Sequence, residues 1–207
     1  MSACDCGTAC RTAPTHPGYR RALWVALVLN ALMFGVELVS SFKAESVSLL
    51  ADAIDFLGDA GNYAVALFVL GLAPVWRSRS ALWKGWVMAG YGVFVLARSA
   101  WQWTAGIVPE PFIMTGVSLL ALAVNLGVAA LLYVHRMGDA QARSVWLCSR
   151  NDALGNLAVI LAAGGVWATG EGWPDIAVAL VLGGLGLSSG VSVIRHARAE
   201  LRTQPAA

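Results

Sequence analysis

The sequence predicts an all-α membrane protein of six transmembrane helices, and three observations lead there. Apolar residues make up 58% of the chain and charged residues only 13%, too apolar and too sparsely charged for an ordinary soluble domain. Six apolar stretches follow one another, each close to the roughly 20 residues that a helix needs to cross the hydrocarbon core. Lys and Arg gather in alternate connections, which gives every helix a sense of crossing.

The stretches run from Ala22 to Phe42, Val47 to Leu72, Ala81 to Trp101, Phe112 to Val134, Ser144 to Thr169 and Pro174 to Ile194. They divide the chain into a cysteine-containing tail (1–19), a six-helix membrane domain (20–196) and a short tail (197–207). Arg11, Arg20 and Arg21 precede the first helix, Arg77, Arg79 and Lys84 separate the second from the third, Arg136 and Arg143 the fourth from the fifth, and Arg195, Arg198 and Arg202 follow the sixth. The opposite connections hold Lys43 with Glu45, Glu110, and Glu171 with Asp175. Both termini are therefore expected on the cytoplasmic side of the cell's inner membrane, with the lipid bilayer as the main partner. The net charge of +2 reflects this bias and is no argument for nucleic acid.

No cleavable signal pattern precedes the first helix, because the polar head lacks a charged region followed by a small-residue cleavage site. Cys4, Cys6 and Cys10 are then expected in a reducing compartment, where clustered thiols more often bind metal than form disulfides. With His16 they offer soft N/S ligands for cytoplasmic metal capture. Their spacing matches no rigid zinc module, so a tail with incidental thiols is an equal alternative.

The second helix carries the most informative pattern. Asp52, Asp55, Asp59 and Asn62 recur at helical spacing and fall on one stripe of an otherwise apolar span. Asp59 lies ~20 Å from either end of the run between Ser46 and Leu72, deeper than an acid that merely flanks an interface. A charged side chain at that depth costs at least ~2.5 kcal/mol, so the stripe needs a partner for its charge. A metal cation is the simplest one.

The fifth helix repeats the arrangement with Cys148, Asp152 and Asn156 at successive four-residue steps. Ser149 to Asp152 also resemble a helix cap. Against that, Ser144 to Cys148 continue the apolar run backward and bring Asp152 to about the depth of Asp59. Arg150 either snorkels toward the cytoplasm or competes for Asp152. Arg98 reads as an interface anchor beside Trp101 and Trp103. The helices share wording, Asp59-Ala60-Gly61-Asn62 beside Asp152-Ala153-Leu154-Gly155-Asn156, which suggests an inverted three-helix repeat with its site at the interface.

Ser48 through Asp59, together with Cys148 through Asn156, resemble the cation diffusion facilitators, six-helix exporters of divalent transition metals. The resemblance implies that Asp55, Asp59, Cys148 and Asp152 hold one metal tetrahedrally. Asp52, Asn156 and Glu37 would be accessory, while Asn30, Asn125 and Asp175 match further polar positions of the family. It also implies no prosthetic group, a non-enzymatic function, zinc, cobalt or cadmium as substrate, and a homodimer. Cys148 stands where the family usually has His. The chain ends at Ala207, so the expectation is a short form without the family's cytoplasmic domain, and no His-rich loop fills Met137 to Arg143. Repelling carboxylates in the empty site would hold protons until metal displaces them, giving metal out and protons in. Two other functions accommodate buried acids: a passive divalent cation channel, and a proton-coupled exporter of small organic cations.

Overall fold

A computed structural model describes residues 17–69, 74–133 and 140–203, the side chains of 69, 74, 77, 140–151 and 203 excepted. Every secondary-structure element among them is helical: α1 Pro17–Lys43, α2 Val47–Ala64, continued by a π-helical turn Val65–Val69, α3 Pro74–Ala105, α4 Pro111–Tyr133, α5 Ala140–Thr169 and α6 Trp173–Thr203. Cys4, Cys6, Cys10 and His16 lie outside the described residues.

Local chemistry accounts for the boundaries. Pro17, Pro74 and Pro111 open α1, α3 and α4, where the missing N–H costs no helical bond and the fixed φ suits the first turn. Ser46 caps α2, its Oγ accepting from Leu49 N at 3.1 Å. Gly106 and Gly170, with φ of 63° and 69°, follow α3 and α5 in the left-handed conformation that ends a helix cheaply.

α1, α4 and α6, with the Asp152–Thr169 portion of α5, are long and apolar enough to cross a membrane, which makes this a multi-pass membrane protein. Their lipid-facing positions include Leu32, Phe112, Leu161 and Val181, all more than 60% exposed. The exceptions are α2, with three Asp, and α3, with Arg77, Arg79, Lys84 and Arg98. Charge is tolerable in α2 because other helices surround it. It packs against α1, α3, α5 and α6, and most of its residues are buried.

Each helix of the first trio also touches its counterpart in the second, α1 with α4, α2 with α5 and α3 with α6. The α3–α6 pair is the tightest because glycines interleave. A Cβ at Gly190 would lie 2.6 Å from Ala89 N, one at Gly85 2.8 Å from Ile194 Cγ1, and one at Gly183 2.9 Å from Val95 Cγ1. Without competing water between apolar helices, such close approach supplies the association energy by van der Waals contact. α3 also starts well before Ala81, where the apolar stretch was expected to begin. Trp76 to Ser80 continue the helix, since Arg and Ser disfavour an apolar window without disfavouring helical backbone.

Gly190→Ala is expected to destabilise the fold by ~1–3 kcal/mol, the usual range for overpacking. Gly184→Ala, with nothing within 4 Å of the added Cβ, should leave stability unchanged. Thermal unfolding of both variants in detergent checks the contrast.

Candidate metal centre

The acidic stripe of α2 faces α5. Asp52 and Asp59 are buried and Asp55 is half-buried. Opposite them, Gly155 leaves room that a side chain would fill, since a Cβ there would stand 3.3 Å from Asp52 Oδ1 and 3.7 Å from Asp55 Oδ2. One turn earlier on α5, Asp152 brings its carboxyl group within hydrogen-bonding reach of Asp59. Asp55 and Asp52 are within electrostatic range of the same group. Two carboxylates accept and cannot donate, so a proton or a cation between them would relieve their repulsion. α5 begins at Ala140, which places Asp152 about three turns inside the helix and removes the capping alternative.

A second carboxyl pair adjoins the first. Glu37 of α1 is fully buried and faces Asp52 within hydrogen-bonding reach. Among the described residues neither oxygen of Glu37 finds a donor, nor do Asp52 Oδ2 and Asp152 Oδ2. Asn156, also fully buried, has no partner among them for either amide atom. Tyr63 Oη donates to Asp59 Oδ2 at 3.3 Å, and Tyr91 Oη donates to Leu50 O at 2.9 Å. The centre is therefore rich in acceptors and poor in donors, a balance that favours a cation.

The expected ligands are only partly assembled. Asp59 and Asp152 face each other, with Asp55 in electrostatic range of Asp152, whereas the side chain of Cys148 lies outside the described residues, as does that of Arg150. Among the described residues no three acid, thiol or imidazole side chains are gathered closely enough to hold a metal ion. Asn30 spends its Nδ2 donor on Ala26 O of its own helix, at 2.8 Å. Asn125 is buried in α4.

Asp175 has a different place from the ligands. Its Oδ1 accepts from Ser46 Oγ at 2.7 Å, Ser48 N at 3.0 Å and Ser48 Oγ at 2.5 Å, and its Oδ2 accepts from Val47 N at 2.8 Å and Gln102 Nε2 at 3.0 Å. A carboxylate of α6 thus satisfies the free N–H groups at the start of α2 and complements its dipole, about 12 Å along the helix from Asp55. Arg98 stacks over Trp101, with Cζ 4.4 Å from the ring centroid, in keeping with an anchoring role. Sequence reasoning missed Gly155 and Tyr63. The only signal for Gly155 was its position between Asp152 and Asn156 on an acid-facing helix.

Residues 23–79 and 76–201 match the model of a family described as the cation efflux transmembrane domain. The chain is 26% identical over 181 residues to the metal cation efflux system protein CzcD of Cupriavidus metallidurans, covering 81% of this chain and 57% of that protein. It is 25% identical over 195 residues to the cadmium, cobalt and zinc/H(+)-K(+) antiporter of Bacillus velezensis, covering 85% and 61%. Metal tolerance protein A2 of Arabidopsis thaliana is 29% identical over 149 residues, covering 62% and 36%. The matches thus span from about a third to three fifths of these relatives' lengths.

A larger side chain at Gly155 should fill the space into which Asp52 and Asp55 point. Gly155→Val is expected to insert in the membrane at the parent level and to lose divalent cation binding, as measured by equilibrium dialysis with radioactive zinc.

Proposed function

Since the chain belongs to the cation efflux transmembrane family, we propose that it exports divalent transition metal ions from the cytoplasm in exchange for protons. Zinc, cobalt and cadmium are the substrates, as in the name of the Bacillus velezensis relative. The facing carboxyl groups of Asp59 and Asp152 across α2 and α5 carry the reading, because a proton or a metal ion between them relieves their repulsion. Asp55, Asp59 and Asp152 are the oxygen ligands and Cys148 the fourth, with Asp52, Glu37 and Asn156 as the surrounding acceptors. Three carboxylates and one thiolate suit this borderline group of ions.

Exchange follows from competition for the same oxygens. In the metal-free site the proton shared by Asp59 and Asp152 relieves their mutual repulsion. A divalent ion arriving from the cytoplasm takes those oxygens and draws Asp55 and Cys148 inward, and the proton leaves. Protons entering from the other side reverse the competition and expel the metal. The helices rock about this mid-membrane site, so that it opens to one side at a time. Because the ligands bind metal deprotonated, a fall in pH favours proton occupancy and weakens metal binding; a rise strengthens it.

Asp59→Ala is expected to abolish zinc uptake into inverted vesicles while the protein remains inserted at the parent level. With the parent protein, uptake should be accompanied by alkalinisation of the lumen, read by an internal pH dye. Uptake without that change would favour a passive channel. Displacement of zinc by small organic cations would favour an organic cation exporter.

A further inference from the structure

Lys84 carries a charge that the exchange scheme leaves unused. By position it was expected among the basic residues of the cytoplasmic connection. Instead it lies within α3, about 15 Å along the helix from Pro74, and turns toward α2. Its stem runs along Gly61, where a Cβ would stand 3.4 Å from Lys84 Cδ and 3.6 Å from Cε. Gly61 thus provides the clearance for a long side chain to cross from one helix to the next. The ammonium donates to Asn62 Oδ1, one turn beyond Asp59 on the acidic stripe, and lies within electrostatic reach of the Asp59 carboxylate.

An ammonium among membrane helices is retained where it balances an opposite charge. Here the charge it balances is also a proposed metal ligand. A divalent ion and an ammonium drawn to one carboxylate repel each other, and the weak local screening between helices keeps that repulsion large. Lys84 cannot diffuse away, and Asn62 Oδ1 holds its ammonium one turn from Asp59.

We propose that Lys84 is a tethered competitor of the transported metal: held by Asn62 one turn from Asp59, its fixed positive charge opposes a divalent ion at that carboxylate and so keeps affinity low enough for release. The inference rests on the metal-export reading. Its residue-level consequence is that removing the charge improves binding and impairs turnover.

The test is equilibrium binding of cadmium to the purified protein in detergent, paired with the rate of cadmium release from preloaded protein. Lys84→Gln should bind cadmium at least tenfold more tightly, since removal of one nearby unit charge at an effective dielectric constant of ~20 is worth that factor or more, and should release it more slowly. Lys84→Arg, which keeps the charge, should stay close to the parent. Asn62→Leu removes the resting place of the ammonium and should weaken cadmium binding, an effect opposite in sign. Unchanged affinity in Lys84→Gln overturns the proposal, as does Lys84→Arg behaving like Lys84→Gln or Asn62→Leu binding more tightly. If Lys84→Gln fails to fold, the sign of the Asn62→Leu effect decides. Asp59→Asn separates the two levels: parent-like cadmium binding by that variant would defeat the metal site itself, whereas lost binding there with an unaltered Lys84→Gln would defeat only the role of Lys84.

Discussion

Carboxyl groups that face one another inside a membrane protein constrain everything around them. Asp59 with Asp152 and Glu37 with Asp52 are acceptor pairs, drawn from α1, α2 and α5, within hydrogen-bonding reach of each other. Neither pair is stable as two bare anions, because weakly polarizable surroundings amplify their repulsion. Their repulsion is offset by protons, by a bound cation or, at Asp59, by the nearby Lys84 ammonium.

The remaining architecture shields that arrangement. α2 lies against four other helices and escapes direct exposure of its charges to lipid. Its N-terminal end is fastened by Asp175, whose carboxylate accepts from two backbone N–H groups, two serine hydroxyls and the amide of Gln102. The glycine-interleaved α3–α6 pair supplies a firm support on one side of α2. On the other side, Gly155 keeps α5 from closing the space before the acids. Small residues therefore serve two opposite purposes, tight contact at Gly190 and clearance at Gly155.

Much of this was legible in the chain because it is one-dimensional information. Apolar run lengths identify membrane helices, and acids spaced at helical periodicity place Asp52, Asp55 and Asp59 on a common face. The continuous apolar run through Cys148 put Asp152 inside α5 rather than at its cap. What stayed hidden depends on neighbours distant in sequence. Asp175 reaches Ser46 across 129 positions, so no local pattern could distinguish a capping acid from a loop acid. Lys84 resembled its neighbours Arg77 and Arg79, and only the packing of α3 on α2 turns it toward Asn62. The clearance at Gly155 likewise becomes visible only when Asp52 and Asp55 are seen opposite it.

The most direct measurement is an anomalous-difference map from crystals of the zinc-loaded protein. The account predicts one peak between α2 and α5, with oxygens of Asp55, Asp59 and Asp152 all within about 2.0–2.2 Å, the range of zinc–carboxylate bonds. A zinc peak elsewhere in the membrane domain, or one that Asp152 does not reach, would contradict it.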